Sequence, residues 1–329
     1  MAETMRAVVI TEVGGPDVLE VRHVPRPAPG AGEVLVRVAT SGVNRADLLQ
    51  RRGGYAAPPG SPQDVPGMEF SGTVEAVGAG ATRWSPGDAV MGIVGGGAYA
   101  EFVVTHEDAA MAVPAGMDLE PAGAIPEVFV TAFDAVLVQE GLQPGETLLV
   151  HAVGSGVGTA ALQLGRAFGA TVLGTSRTQG KLDRAAALGL EHAILGDEGW
   201  PHRVMDVTEG RGVDVILDLV GGPYLAGNQK VLAKRGRHIV VGVTGGASTD
   251  IDLRTLMVKR GSIRGTVLRS RSLEEKVTLT RAFERDALPK FESGAMSPVV
   301  DRVLEAAEVP EAHRLLESNE TFGKVLLRW

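Results

Sequence analysis

The stretch that most constrains the fold of this chain is Thr147–Gly158, with the sequence TLLVHAVGSGVG. Its first four residues are apolar or β-favouring, which predicts a strand buried on both faces. Gly154, Gly156 and Gly158 then predict a sharp turn into a helix, because they carry no side chains that would keep a ligand off the backbone. Thr159–Phe168 continues with mostly good helix formers. The free N–H groups at the start of such a helix can bind a pyrophosphate.

This turn departs from the strict G-x-G-x-x-G fingerprint. When Gly158 is taken as the third glycine, Val153 and Ser155 occupy the positions of the first two, so a purely structural corner is the alternative. The strands and helices that alternate after the turn are nevertheless typical of a doubly wound parallel sheet that binds a dinucleotide. The six predicted strands are Thr147–Val153, Thr171–Ser176, His192–Leu195, Val213–Val220, Arg237–Val243 and Ser262–Leu268. We therefore predict a Rossmann fold with a dinucleotide site at the turn.

The residues before this alternation predict a second, β-rich domain. Glu33–Thr40 alternates along its length, with Val34, Val36 and Val38 on one face. The last ~60 residues are too few for a typical domain, so we expect them to rejoin the first one. The predicted fold class is α/β, in which residues 1–124 and 266–329 form one domain and residues 125–265 form the other.

The composition excludes several functional classes. The net charge of −8 gives no electrostatic basis for holding a nucleic acid. The chain has no cysteine, which excludes disulfides, thiolate nucleophiles and cysteine-ligated metal sites. The N-terminal residues MAETMRAVVI lack the basic and long apolar segments of a secretory signal, and no apolar run reaches the ~18 residues of a membrane span. We expect a cytoplasmic enzyme that binds neither nucleic acid nor membrane.

The end of the second strand of the parallel sheet indicates which dinucleotide binds. An NAD site usually has Asp or Glu about 20 residues after the glycine turn, whereas the 2′-phosphate of NADP calls for a cation there. This chain has Ser176 and Arg177 at that point, and Lys181 lies one turn into the next helix. The two cations could also be solvated surface charges, but the pattern favours NADPH over NADH.

Other residues could carry chemistry or serve the fold. Asn44 and Asp47 are typical of a helix start and could equally contact a substrate. Tyr55 lies in a loop of glycines and prolines, where a tyrosine is usually a packed cover residue. Its phenol could also donate a hydrogen bond to a carbonyl oxygen that gains charge. His151 stands just before the glycine turn, where an orienting or packing role is favoured over acid–base catalysis.

Taken in order along the chain, these residues resemble the medium-chain dehydrogenase/reductase superfamily, and within it the zinc-free NADPH:quinone oxidoreductases. The matching stretches are GVNRADLLQRRGGY (42–55), VPGMEFSGTVEAVGAG (65–80), WSPGDAVMG (84–92), AIPEVFVTAFDAV (124–136), HAVGSGVGTAALQL (151–164), LRSR (268–271) and GKVLL (323–327). Their order and spacing cover nearly the whole chain, which is far more specific than any single motif. The resemblance implies a GroES-like catalytic domain beside a Rossmann domain that binds NADPH.

Two positions set the chain apart from the zinc-using relatives. Asn44 stands where those relatives place a metal-binding cysteine, and Met68 replaces the histidine of their Gly-His-Glu segment. The resemblance therefore implies no bound metal. Oxidation of simple alcohols, which needs Lewis-acid polarisation, is not expected. Transfer of reducing equivalents from NADPH to a quinone is expected instead, because a quinone accepts hydride without a metal.

The resemblance also implies roles for individual residues. Tyr55, Asn44 and Ser155 are implied as catalytic residues, with Tyr55 orienting the substrate. The implied cofactor contacts are Asn44, Thr131, Gly154, Ser155, Gly156, Val157, Gly158, Ser176, Arg177, Lys181, Gly242, Leu268 and Arg269. Glu127 shares a helix face with Thr131, and the resemblance favours a place in the active-site cleft over a role in capping the helix. One departure weakens the 2′-phosphate assignment, because several relatives carry a tyrosine after the third strand where this chain has Gly196.

Two other functions stay open. Reduction of an activated carbon–carbon double bond in an enal or enone uses the same hydride geometry. A cofactor-binding protein with little turnover is the alternative from another class. In each case we expect a homodimer formed by edge-to-edge pairing of the sixth strands, Ser262–Leu268.

Overall fold

The computed structural model of the chain describes residues 3–329 and divides them into two compact units. The first unit contains the described residues up to Val130 together with Leu268–Ser293 and Ser297–Trp329. The second unit contains Thr131–Val267 and Gly294–Met296. Residues 1 and 2, which begin the segment where we expect no secretory signal, lie outside the described residues.

Strands and helices are numbered along the chain. Within residues 3–329 the strands are β1 (Thr4–Ile10), β2 (Leu19–Pro25), β3 (Glu33–Gly42), β4 (Glu69–Val77), β5 (Ala89–Ile93), β6 (Phe102–His106), β7 (Ala110–Ala112), β8 (Thr147–Val150), β9 (Thr171–Ser176), β10 (His192–Leu195), β11 (Val213–Asp218), β12 (Leu232–Val240), β13 (Ser262–Gly265), β14 (Val300–Glu305) and β15 (Lys324–Arg328). The α-helices are α1 (Arg45–Arg51), α2 (Leu119–Ala122), α3 (Pro126–Phe133), α4 (Gly156–Ala167), α5 (Gln179–Ala187), α6 (Trp200–Val207), α7 (Gly222–Val231), α8 (Leu253–Lys259), α9 (Leu273–Asp286), α10 (Leu288–Glu292) and α11 (Val309–Ser318). None of the helices within these residues is long and apolar enough to cross a lipid bilayer.

The second unit is built on a six-stranded parallel sheet, which confirms the predicted doubly wound fold. Its strands lie in the order β10-β9-β8-β11-β12-β13, and every neighbouring pair is parallel. The central strands β8 and β11 are buried along nearly their whole length, as expected when helices cover both faces of a sheet. From β8 the strands β9 and β10 follow on one side, and β11, β12 and β13 follow on the other. Ligands of such sheets bind at the carboxyl ends of the strands near this change of direction.

The first unit is the predicted β-rich domain. Its seven-stranded sheet has the order β14-β15-β3-β4-β5-β7, β6 also pairs with β3, and β1 pairs separately with β2. Val34, Val36 and Val38 of β3 are buried in one hydrophobic core cluster, which explains the alternation in the sequence. The C-terminal strand β15 pairs antiparallel with β3, with Leu327 opposite Ser41. Leu268–Ser293 and Ser297–Trp329 thus belong to the first unit.

The residues of Ala122–Glu140 predict one long helix, but the structure divides this segment. Helix α2 ends at Ala122, and α3 begins afresh at Pro126. Proline suits the first position of a helix, because the N–H that it lacks would have no partner there. After Phe133 the backbone continues as a π-helix over Asp134–Gln139, a change that apolar periodicity does not register.

The strand predicted over Thr147–Val153 is also shorter, and it ends at Val150. Ala152 adopts a positive φ of 51°, which is incompatible with a strand. Helices α6 and α8 and strand β14 are among the elements that are not predicted from the sequence. Helix α8 buries none of its residues, so it carries no amphipathic pattern that would reveal it.

Candidate active site

The glycine turn joins β8 to α4 and leaves backbone donors free. Ser155 is the N-cap of α4, and its Oγ accepts a hydrogen bond from the N–H of Gly158 at 3.1 Å. Within the described chain, the N–H groups of Gly156 and Val157 have no acceptor, as expected in the first turn of a helix. A Cβ atom on Gly158 would lie 2.4 Å from the backbone oxygen of Ala152, so the helix packs too close to the turn for any side chain. The unpaired donors at the positive end of the helix dipole fit a pyrophosphate.

The residues predicted to bind a 2′-phosphate lie at the carboxyl end of β9 and the start of α5. Ser176 is the buried last residue of β9, and its Oγ accepts a hydrogen bond from the N–H of Thr178 at 3.4 Å. Arg177 is exposed, and Lys181 lies in the first turn of α5. One hydroxyl and two cationic side chains thus border this strand end.

His151 belongs to a buried structural network. Its Nδ1 lies 2.9 Å from Thr175 Oγ1 and its Nε2 lies 2.6 Å from Asn228 Oδ1. The rings of Trp200 and Tyr224 contact it edge-on, with centroids 4.9 and 4.7 Å away. Burial lowers the pKa of His151 to about 4, so the ring is neutral near pH 7. These contacts favour the orienting role over acid–base catalysis.

Asp218, at the end of β11, is a buried carboxylate that the sequence analysis missed. Its Oδ1 accepts hydrogen bonds from the N–H groups of Val220 and Gly221 at 2.8 and 2.9 Å, and its Oδ2 lies 3.0 Å from both Asn228 Nδ2 and His238 Nε2. Burial alone would raise the pKa of Asp218, but the hydrogen bonds from His238 and the two amides hold it below its ordinary value. The signal in the sequence was an aspartate between an apolar strand and a Gly-Gly pair, where its side chain can cap the following amides.

Thr131 and Gly242, which are predicted to contact the cofactor, both lie in the second unit. The Oγ1 atom of Thr131 is buried and has no hydrogen-bond partner within the described residues. Leaving a buried hydroxyl unpaired costs about 1–3 kcal/mol, so this orphan group fits a bound polar ligand. Gly242 follows β12, and its N–H donates to the backbone oxygen of Asp218 at 3.3 Å.

Asn44, Glu69 and Lys324 form a buried polar cluster in the first unit. Asn44 Nδ2 donates to Glu69 Oε1 at 2.8 Å and to the backbone oxygen of Gly42 at 3.2 Å. Lys324 Nζ lies 2.6 Å from Glu69 Oε1 and donates to Asn44 Oδ1 at 2.7 Å. The ammonium group therefore neutralises the Glu69 carboxylate, and the Asn44 amide is held in one orientation.

Asp47 stabilises the start of α1, which is the structural alternative considered above. Its Oδ2 accepts hydrogen bonds from the N–H of Asn44 at 2.9 Å and from Tyr99 Oη at 3.1 Å. Its Oδ1 accepts a hydrogen bond from the N–H of Gly67 at 3.1 Å. Burial raises the pKa of Asp47 to about 6 in spite of these hydrogen bonds.

Tyr55 presents a phenol that has no hydrogen-bond partner within residues 3–329, and the residue is partly exposed. Burial raises the pKa of this phenol, so it stays protonated and able to donate at neutral pH. The guanidinium of Arg269 lies 5.1 Å from the Tyr55 ring centroid and donates to the backbone oxygens of Tyr55 at 3.3 Å and Gly95 at 2.8 Å. Arg269, which is predicted to contact the cofactor, thus holds the Tyr55 loop, and its neighbour Leu268 is buried.

Glu127 lies in the first turn of α3, and its N–H donates to Glu69 Oε2 at 2.8 Å. Within the described residues its carboxyl group makes no hydrogen bond or ion pair, and the residue is partly exposed. Burial, and after it the charge of Glu69, raises the pKa of Glu127 to about 8. Near pH 7 this carboxyl is therefore mostly neutral and can donate a hydrogen bond.

The residues of the first unit do not fit a zinc ion. Asn44 and Met68 occupy the two positions at which the resemblance places zinc ligands in the zinc-using relatives, and they offer an amide and a thioether instead. The Lys324 ammonium lies beside Glu69. An ammonium group and a divalent cation would repel each other at this distance. Across residues 3–329 no group of three or more His, Cys, Asp or Glu side chains is arranged to hold a metal.

Comparison with protein families gives two matches. Residues 30–115 match the alcohol dehydrogenase GroES-like domain, and residues 156–283 match the zinc-binding dehydrogenase family. The first range contains strands β3–β7 of the β-rich unit, and the second contains strands β9–β13 of the parallel sheet. One match therefore covers strands of the β-rich sheet, and the other covers strands of the parallel sheet.

Individual relatives extend the similarity over nearly the whole chain. A quinone oxidoreductase of Lama guanicoe is 32% identical over 329 residues, which cover 98% of this chain and 97% of the relative. Among solved structures, an NAD-dependent alcohol dehydrogenase has a TM-score of 0.89 at 36% identity and covers 99% of this chain and 100% of its own. The CurK enoyl reductase has a TM-score of 0.86 at 26% identity, with 99% of each chain covered.

Proposed function

We propose that this chain, which belongs to the medium-chain dehydrogenase/reductase family, is a zinc-independent reductase that transfers reducing equivalents from NADPH to quinones. The observation that carries the proposal is the Asn44–Glu69–Lys324 cluster, which takes the place of a metal site. An enzyme with this cluster suits an acceptor that needs no Lewis acid, and an electron-poor quinone is such an acceptor. The similarity to quinone oxidoreductases over 98% of the chain supports the same conclusion.

In this proposal the two parts of the chain have separate tasks. The Rossmann domain, predicted from the sequence as residues 125–265, binds NADPH. The GroES-like domain, predicted as residues 1–124 and 266–329, is the catalytic domain. Bound NADPH would supply a hydride. The residues that would hold it are Asn44, Thr131, Gly154, Ser155, Gly156, Val157, Gly158, Ser176, Arg177, Lys181, Gly242, Leu268 and Arg269. We place the enzyme in the cytoplasm, with a small-molecule quinone as its substrate.

Three side chains act on the substrate or the coenzyme in this proposal. The unpartnered phenol of Tyr55 donates a hydrogen bond to the quinone oxygen that gains charge. Asn44, fixed by Glu69 and Lys324, serves the nicotinamide side. Ser155 uses its Oγ as an acceptor for the Gly158 N–H, which leaves its own hydroxyl hydrogen free to donate to the cofactor. The final proton on the reduced quinone can come from water.

Reduction of an activated carbon–carbon double bond in an enal or enone is the second candidate function. The fold similarity to the CurK enoyl reductase favours it, and the same phenol could donate to the enone oxygen. A protein that binds NADPH with little turnover is the third candidate.

Steady-state kinetics test the choice between these functions. We expect the purified protein to oxidise NADPH with a simple quinone faster than with an enal or enone. The kcat/KM for NADPH should exceed that for NADH by at least roughly tenfold to hundredfold, because each charge-assisted hydrogen bond to a 2′-phosphate contributes about 1.5–3 kcal/mol. Faster turnover of the enone would support the second candidate. NADPH binding without oxidation would support the third.

We also propose that two copies of the chain pair through β13. This strand lies at the edge of the six-stranded sheet and is largely exposed. The preceding helix α8 exposes Met257 and Val258, with 75% and 69% of their surface accessible. An open strand edge beside exposed apolar side chains is a site for association, and a two-fold pair would cover both.

Light scattering tests the dimer. We expect a particle of twice the chain mass of 34.3 kDa. A Met257→Glu/Val258→Glu variant should shift the protein towards the monomer, because it places like charges on both sides of the pair. A monomeric wild-type protein at micromolar concentration would contradict this assembly.

A further inference from the structure

We infer that Tyr224 supplies a phenol to the pocket for the 2′-phosphate of the coenzyme, beside Ser176 and Arg177. The inference rests on the proposed use of NADPH. Tyr224 lies in the first turn of α7, and its Oη donates to the backbone oxygen of Gly196 at 3.2 Å. Gly196 directly follows β10, and its N–H donates to the backbone oxygen of Ser176 at 2.8 Å. The Tyr224 side chain, which belongs to α7, thus reaches the carboxyl ends of β9 and β10.

The ring of Tyr224 is held in place before any ligand binds. It stacks on Trp200 with centroids 5.3 Å apart and an interplanar angle of 15°. The ring of His151 also contacts the Tyr224 ring edge-on, with the two centroids 4.7 Å apart. Hydrogen bonds to Thr175 and Asn228 hold that histidine in place. A ring fixed in this way loses little conformational entropy when its hydroxyl binds a ligand.

The charges around the phenol favour a phosphate. Burial raises the pKa of Tyr224, so the group remains a donor at neutral pH, and the nearby charge of Arg177 acts in the opposite direction. Arg177 is exposed and makes no hydrogen bond within the described chain. Two acids also act on the phenol: Asp218 accepts hydrogen bonds from two backbone N–H groups, and Asp197 is paired with Arg203. A phosphate dianion would accept the phenol proton in place of the backbone oxygen that accepts it now, and it would meet an available cation. The new hydrogen bond would be stronger than the one it replaces, because it is charge-assisted.

Gly196 is part of the same arrangement. A Cβ atom at this position would lie 2.7 Å from Tyr224 Oη and 3.3 Å from the backbone oxygen of Ser176. Any side chain at position 196 would push the phenol away from the strand end. The absence of a side chain here leaves room for the hydroxyl that comes from α7.

Binding of two nucleotides without a nicotinamide tests this role separately from catalysis. Adenosine 2′,5′-bisphosphate carries the 2′-phosphate and 5′-AMP lacks it, so calorimetric titration of both isolates that group. We expect Tyr224→Phe to raise the Kd for the bisphosphate by about tenfold to hundredfold, the usual effect of losing a hydrogen bond to a charged group. The Kd for 5′-AMP should stay the same, because phenylalanine keeps the stacking on Trp200.

Gly196→Ala gives an independent test that keeps the phenol. Its Cβ should displace Tyr224 Oη and raise the Kd for the bisphosphate in the same direction. In the Gly196→Ala/Tyr224→Phe double variant the two effects should not add, because both remove the same interaction. Additive effects in this cycle would contradict the inference.

The remaining outcomes separate this inference from the proposed function. A Tyr224→Phe variant that still prefers the bisphosphate over 5′-AMP as strongly as the wild type would overturn the role of Tyr224 and leave the choice of NADPH intact. Equal weakening of both nucleotides would show a purely structural role and would also overturn it. A wild-type protein that does not distinguish the two nucleotides would overturn both the NADPH assignment and this inference.

Discussion

Lys324→Met is expected to lower the free energy of unfolding by about 3–5 kcal/mol, the cost of leaving a buried charge without its partner. Lys324 Nζ lies 2.6 Å from Glu69 Oε1, and the two side chains are 4% and 0% exposed. The ammonium also donates to the backbone oxygen of Val43 at 2.9 Å and to Asn44 Oδ1 at 2.7 Å, so both oxygens lose that donor. Methionine preserves much of the volume of the lysine stem, which limits the loss of packing. Urea unfolding followed by circular dichroism measures the change.

Arg328→Met is the matched control for this prediction. Arg328 forms ion pairs with Glu120 and Glu305, but all three side chains are about half exposed, so their loss should cost about 0–1 kcal/mol. Adding Glu69→Gln to Lys324→Met should recover part of the lost stability, because no buried charge remains. A Lys324→Met protein as stable as the Arg328→Met protein would contradict the claim that this cluster holds a buried ion pair.

Much of the fold can be predicted because it follows from two periodic patterns. The alternating Val34, Val36 and Val38 place one face of β3 in a core, and the continuous apolar run at the start of Thr147–Gly158 predicts a strand buried on both faces. The glycine turn adds a helix start with free donors, which the structure shows at Gly156. These features depend on residues that are neighbours in the sequence.

The parts that could not be predicted depend on residues that are distant in the sequence. Lys324 donates to Asn44 across 280 residues, and Arg269 donates to the Tyr55 backbone across 214 residues. Local periodicity carries no information about such contacts. The position of Tyr224 could not be predicted for the same reason. The residues at the end of β9 indicate only their own part of the pocket, and the Tyr224 phenol belongs to α7.

Backbone conformation was the second limit. Ala152 adopts a positive φ and so ends a strand. Its residue type does not predict this conformation, because alanine is a good helix former and helices have negative φ. The π-helix over Asp134–Gln139 keeps the apolar composition of an ordinary helix. In both places packing around the turn or helix decides the backbone, and a sequence pattern records only which residues are apolar.

The free phenol of Tyr55 leads to the largest expected effect on catalysis. Tyr55→Phe should lower kcat for quinone reduction by about 10²–10³-fold, the usual cost of removing one donor to an oxygen that gains charge. The phenol has no partner among the described residues, so its loss should leave stability unchanged. The Arg269 guanidinium, 5.1 Å from the ring centroid, can contact phenylalanine in the same way, so the loop should keep its place. Stopped-flow measurement of NADPH oxidation gives the rate.

Tyr99→Phe is the matched control, because Tyr99 is the buried tyrosine of the same unit. Its Oη donates to Asp47 Oδ2 at 3.1 Å, so the change should lower the melting temperature and leave kcat nearly intact. Some activity should survive in Tyr55→Phe, since orientation contributes roughly 7–11 kcal/mol in the best intramolecular reactions and one donor roughly 2.7–4. A Tyr55→Phe protein with full quinone turnover would show that the phenol does not act on the acceptor. Positioning by the bound coenzyme and the surrounding protein would then have to account for the whole rate.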